Sequence, residues 1–133
     1  MAGQRTERVL QTVKILLVED SDDIRDAFTG LLRAEGAYVV AVETGGAAIA
    51  AALREDFNIL LTDYGLPDIP GDFLIRQVLA IARRRPRAIV ITGYGEPYAG
   101  WARQAGAELV LTKPVEWVDL LQHLRPDPRR IAA

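Results

Sequence analysis

Phe57-Asn58-Ile59-Leu60-Leu61-Thr62-Asp63 is a short apolar run that ends on a carboxylate, and Tyr64-Gly65-Leu66-Pro67-Asp68-Ile69-Pro70-Gly71 breaks the chain directly after it. A short apolar run bounded by Gly and Pro reads as a buried strand. A carboxylate at the C-terminal end of such a strand stands where α/β sheets bind their ligands. Two other runs end on chemistry in the same way. Val13-Lys14-Ile15-Leu16-Leu17-Val18 leads into Glu19-Asp20, and Leu109-Val110-Leu111-Thr112 leads into Lys113-Pro114.

Outward from these runs, short β-branched stretches alternate with helical periodicity. Strands are predicted over 13–18, 37–42, 57–62, 88–92 and 109–111. A helix over 22–35 has Ile24, Ala27, Phe28, Leu31 and Leu32 on one stripe, with Ser21 or Asp22 as its cap and Gly36 as its stop. Thr44 caps an Ala-rich helix that runs to Leu53. A helix over 72–84 turns Leu74, Ile75, Val78, Leu79 and Ala82 inward, and one over 115–124 buries Trp117, Leu120, Leu121 and Leu124. The segment 96–104 is a weak helix, since Gly93, Gly95, Gly100 and Pro97 crowd it; Pro97 suits an early helical position.

Strands alternating with helices require a parallel sheet covered on both faces. Right-handed crossovers leave few arrangements. The expected fold class is α/β, a flavodoxin-like doubly wound (βα)5 sheet of strand order 2-1-3-4-5. That order puts the ends of strands one and three at the switch point, where Glu19, Asp20 and Asp63 would meet.

The 133 residues suit one domain, and with half of them hydrophobic the chain can bury a core. The domain is expected over 13–125, between an N-terminal arm, 1–12, that is mobile or forms an extra helical turn, and a flexible C-terminal tail, 126–133, Pro-rich and basic. The absence of cysteine excludes disulfides and thiolate metal sites and favours a cytoplasmic setting. A formal charge of −2 gives no argument for a nucleic-acid partner, and none is expected. No apolar stretch approaches the ~20 residues that cross a bilayer, and the first eleven residues lack a signal-peptide core.

Three carboxylates held together repel one another unless a hard cation sits among them. Mg²⁺ takes oxygen ligands and keeps several waters. Asp20 and Asp63 can bind it directly, Glu19 directly or through water, and a backbone carbonyl just after Asp63, that of Gly65, can fill another position. Lys113 supplies a compact positive charge and Thr92 a hydroxyl. A metal, a lysine and a hydroxyl can hold the three equatorial oxygens of a phosphoryl group in transit, with Asp63 as the nucleophile that forms an acyl phosphate. Each residue alone reads as a strand-end cap or surface charge. The five together, at corresponding strand ends, read as a site.

In Val18-Glu19-Asp20, Thr62-Asp63-Tyr64-Gly65-Leu66-Pro67 with Gly71, Ile91-Thr92-Gly93 and Lys113-Pro114, the chain resembles the receiver domain of two-component response regulators, from about Lys14 to Leu124. The resemblance implies that Asp63 accepts phosphate from the phosphohistidine of a sensor histidine kinase or histidine phosphotransfer protein. It implies Mg²⁺, or Mn²⁺ in its place, held by Glu19, Asp20, Asp63 and the Gly65 carbonyl, with Thr92 and Lys113 on the phosphoryl oxygens. It also implies a cis Lys113-Pro114 bond and a downstream protein target. A phosphoacceptor of this kind is not an enzyme acting on free substrates. The chain reads as a free-standing receiver without an output domain, a monomer or weak dimer.

The family usually has an aromatic residue where this chain has Val110, which has no ring to flip as a switch. Val115 stands where Phe is common. Tyr94, Tyr98 and Trp101 crowd one segment and suit either a partner surface or packing onto the sheet. Arg83-Arg84-Arg85 suits a solvated helix end, and His123 a surface position. Two other functions compete. A pseudo-receiver would signal without phosphate, against which the full set of site residues argues. A Mg²⁺ phosphohydrolase with an aspartyl nucleophile needs an acid two residues later, where Gly65 stands. A flavin carrier is disfavoured by the acids after strand one.

Overall fold

In the computed structural model, residues 8–126 are described. The order is β1 (Lys14–Val18), α1 (Asp22–Ala34), β2 (Tyr38–Val42), α2 (Gly45–Arg54), β3 (Ile59–Asp63), α3 (Gly71–Ile81), β4 (Arg87–Thr92), α4 (Tyr98–Ala105), β5 (Leu109–Thr112) and α5 (Trp117–Leu124). All strand pairings are parallel, as the alternation requires, and the strand order is the expected β2-β1-β3-β4-β5. Val18 lies between Val42 and Thr62, Asp63 pairs with Ile91, and Thr92 pairs with Thr112. The chemistry-bearing strand ends therefore share one edge.

Alternate side chains of each strand point to opposite faces, and each face has its own core. Leu16, Val18, Leu60 and Val90 pack with Ala48, Leu74, Ile75, Val78 and Ala102 on the side of α2, α3 and α4. Ile15, Leu17, Ile59, Leu61 and Ile89 pack with Leu32, Leu120 and Leu124 on the side of α1 and α5. Burying each large aliphatic chain is worth roughly 1.5–3 kcal/mol relative to exposure.

Leu10 also belongs to the second core. It is fully buried, and its N–H donates to the Glu35 carbonyl at 2.9 Å. Of the expected arm, residues 1–7 lie outside the described residues; of the expected tail, residues 127–133 do.

Several local expectations change. The α1 stripe is only partly interior: Leu32 is buried and Phe28 half-buried, but Ile24 and Leu31 are each 39% exposed. A helix against a sheet presents a narrower contact than its apolar spacing covers. Helix α3 ends at Ile81, not Arg84. Pro86 disfavours helical geometry at Arg85, so the three arginines lie in the turn beyond the helix. Helix α5 starts at Trp117, two residues late, after Glu116 in extended geometry. Helix α4 starts at Tyr98; its expected first turn at Glu96 is replaced by a side-chain cap, the Glu96 carboxylate accepting from the Gly100 N–H at 3.0 Å. As expected, Ser21 caps α1, Thr44 caps α2, and Gly36 takes the positive φ that follows α1.

Candidate functional site

Strand β1 ends at Val18 because Glu19 begins the turn into α1, its N–H still donating to the Val42 carbonyl at 3.0 Å. The Glu19 side chain is buried, and it accepts the Ser21 N–H at 3.0 Å. Arg25 of α1 donates to the Glu19 carbonyl at 2.9 Å. These two contacts were not legible beforehand, and they fix the direction of the acidic turn. Asp20 is exposed beside it. Asp63, half-buried, closes β3 between them and β4.

Carboxylate oxygens of Glu19, Asp20 and Asp63 all lie within 4.8 Å of one another. Burial holds the Glu19 carboxyl above its ordinary range. Its hydrogen bond with Asp20 and the nearby charge of Asp63 push the same way, against the Ser21 N–H and Lys113. An all-oxygen cluster whose charge is resisted by burial fits a hard divalent cation such as Mg²⁺.

Lys113 follows β5, its N–H donating to the Thr92 carbonyl at 2.8 Å. Its ammonium lies 3.3 Å from Asp63 Oδ2. The Lys113-Pro114 bond is cis, and so is Glu96-Pro97. Thr92 is buried at the end of β4, and its Oγ accepts the Tyr94 N–H at 2.9 Å. Gly65 stands in the exposed loop directly after β3. Thus Glu19, Asp20, Asp63 and Lys113 are brought together, with Thr92 and Gly65 on the adjoining strand end and loop.

Val110 is half-buried and packs against the core on the α2–α4 side. Tyr94, Tyr98 and Trp101 are 56%, 38% and 44% exposed. They are not scattered: Tyr98 meets Tyr94 and Trp101, each with ring centroids 5.3 Å apart. Tyr98 also meets Tyr64 edge-on at 5.5 Å. Tyr64, directly after Asp63, is buried and donates its hydroxyl to Asp72 at 2.8 Å. Burial pushes its phenol up to about 12, and Asp72 adds to the shift. An aromatic chain therefore runs from the residue beside Asp63 to the surface of α4. Its inner member escaped the sequence reading because Tyr64 looked like loop.

Residues 15–125 match the family model described as the response regulator receiver domain. Protein PilH of Pseudomonas aeruginosa is 33% identical over 111 residues, which cover 82% of this chain and 92% of that protein. The structure of a CheY-like response regulator receiver domain protein from Methanospirillum hungatei superposes with a TM-score of 0.79 at 33% identity, over 84% of this chain and 89% of that one. The receiver domain of sensor histidine kinase PA1611 from P. aeruginosa, with a magnesium ion coordinated in its active-site cleft, gives 0.76 at 30% identity, over 84% and 93%. Among the described residues no helix is long and apolar enough to cross a membrane.

Proposed function

Since the chain belongs to the response regulator receiver family, we propose that Asp63 is its phosphoacceptor. It takes the phosphoryl group from the phosphohistidine of a sensor histidine kinase or histidine phosphotransfer protein and signals by binding a downstream protein. The observation that carries this reading is the 3.3 Å approach of the Lys113 ammonium to Asp63 within the three-carboxylate cluster.

An Asp63 carboxylate oxygen attacks phosphorus as the bond to the histidine nitrogen breaks, the electron pair leaving with the imidazole. The product is an acyl phosphate. Asp20 and Asp63 would hold Mg²⁺ together with the Gly65 carbonyl, and Glu19 would reach it directly or through water. When bound, the ion offsets the charge between the acids and the incoming phosphoryl oxygens. Lys113 trades its Asp63 contact for one phosphoryl oxygen, and the Thr92 hydroxyl donates to another. Gly65 stands two residues after Asp63, where an aspartyl-nucleophile phosphohydrolase needs an acid, so the site does not suit turnover of free substrates.

With acetyl phosphate and Mg²⁺, the wild-type protein should gain one acid-stable, base-labile phosphoryl group and Asp63→Asn none. Undiminished acyl phosphate in Asp63→Asn would sink the assignment. No phosphorylation of the wild type, with a kinase-facing partner still bound, would favour the phosphate-independent reading.

A further inference from the structure

The loop from Tyr64 to Gly71 is closed at its base and tied down at its tip. At the base, the Gly71 N–H donates to the Tyr64 carbonyl at 2.8 Å, and Gly65 pairs with Pro70 in an antiparallel bridge. A Cβ at residue 71 would stand 2.8 Å from Tyr64 Cα, so only glycine lets the base close. At the tip, Asp68 reaches another element. Its Oδ1 accepts the Gly45 N–H at 2.9 Å and its Oδ2 the Gly46 N–H at 2.8 Å. Oδ1 also accepts the N–H of Ile69 at 3.0 Å. The Ile69 side chain fills the space that a Cβ at residue 45 would need.

Helix α2 opens with no acid in its first turn. Its own cap, Thr44, satisfies the Ala47 N–H at 3.1 Å. That leaves two N–H groups of the first turn for Asp68, which also brings the negative charge that a helix start favours. Those bonds hold the Asp68 carboxyl below its ordinary range. Helix α1 is capped from within its own segment, by Ser21. In α2 a second anchor, besides Thr44, comes from the loop that carries Gly65.

The geometry points to Asp68 as a positioning residue for the metal site: by pinning the loop tip to α2, it fixes where the Gly65 carbonyl stands relative to Glu19, Asp20 and Asp63. Asp68 touches neither metal nor phosphoryl group. This inference rests on the metal reading given under the proposed function.

The test is titration with Mg²⁺ alone, followed by calorimetry or NMR, on the full chain. Asp68→Ala should weaken binding by about tenfold, the scale of losing support behind a ligand. Asp68→Asn keeps an acceptor for one N–H and turns an NH₂ group toward the other, so it should fall between; if Asp68→Ala does not fold, this variant carries the comparison. Thr44→Ala removes a cap from the same helix without touching the loop, and should bind Mg²⁺ like the wild type. In the metal-free protein, amide exchange at Gly71 should quicken in Asp68→Ala and not in Thr44→Ala. Equal Mg²⁺ affinity in wild type and both Asp68 variants, with Asp20→Ala unable to bind, overturns the inference and leaves the metal reading standing. An equal loss in Thr44→Ala overturns it too, because the effect would then be helix stability. A wild type that does not bind Mg²⁺ overturns the metal reading and this inference together.

Discussion

Thr92 Oγ accepts the backbone N–H of Tyr94 at 2.9 Å, which couples the hydroxyl at the end of β4 to the start of the aromatic segment. A hydroxyl has one proton to give and two lone pairs. Tyr94 holds a lone pair, and the proton stays free for the phosphoryl oxygen of the proposed Asp63 phosphate. Movement of Thr92 toward Asp63 therefore pulls on Tyr94 without any help from β5, where Val110 has no ring to rotate. Beryllofluoride with Mg²⁺ should change amide exchange at Tyr94 and across 93–97. In Thr92→Ala the Tyr94 amide should exchange faster in the free protein, at a cost of about 1 kcal/mol in stability. A segment that is rigid in the free protein and unmoved on activation would rule this route out.

Trp101 should report activation optically. It lies edge-on to Tyr98, which lies edge-on to Tyr64 beside Asp63. Beryllofluoride and Mg²⁺ are expected to shift tryptophan emission in the wild type and in Trp117→Phe, but not in Trp101→Phe. Tyr98→Leu should leave the fold intact and suppress the shift. An undiminished response in Tyr98→Leu would show that the signal leaves by another face.

Asp20→Ala is expected to abolish Mg²⁺ binding, whose affinity in the wild type should lie on the order of 0.1–1 mM for so open a cluster. The same change should raise the melting temperature of the metal-free protein, because it relieves repulsion with Glu19 and Asp63. Titration by tryptophan fluorescence and a thermal melt in chelator test the two halves separately. A melting temperature lowered in chelator would mean that the cluster is not strained by its own charge.

Lys113→Met removes the cation nearest Asp63. The pair is partly exposed, so its loss should cost only about 0.5–1 kcal/mol in the metal-free protein. Millimolar Mg²⁺ should return part of that stability, since the ion supplies charge to the same acids. Denaturant melts with and without Mg²⁺ measure this, and identical differences under both conditions would argue that Lys113 and the metal serve separate sites.

Tyr64 makes stability fall at high pH. Its folded-state value of about 12 lies above the ordinary 10.0, so the unfolded chain releases the proton first. The contribution is whole below pH 10 and is lost as pH rises through the interval up to about 12. Tyr64→Phe should flatten that limb of the stability curve, and at neutral pH lose the bond to Asp72, worth about 1 kcal/mol. Equal slopes in both proteins between those values would refute the assignment.

The sheet and the four central site residues were legible because apolar runs and strand-end chemistry are local signals. Strand order followed from alternation together with the handedness of the crossovers and the flavodoxin-like arrangement they favour, and it brought Glu19 and Asp20 to Asp63. What stayed hidden depends on contacts far apart in the chain. Asp68 meets Gly45 and Gly46 across more than twenty residues. The only hints were a helix start without an acid and two glycines with no turn to make. Leu10 looked like part of a polar arm because one leucine sets no period. Arg83 and Arg84 are expected within α3, but the helix ends at Ile81, ahead of Pro86. The exposed edge of the α1 stripe reflects how little of a helix a sheet covers, which spacing does not record.

Gly45 and Ile69 compete for one volume, and that orders the history open to this chain. A side chain at 45 must displace the Ile69 side chain unless 69 has become smaller first. The two positions are therefore expected to change together. Related chains should keep glycine with a large residue or trade both, and intermediates with two large residues should be scarce among survivors.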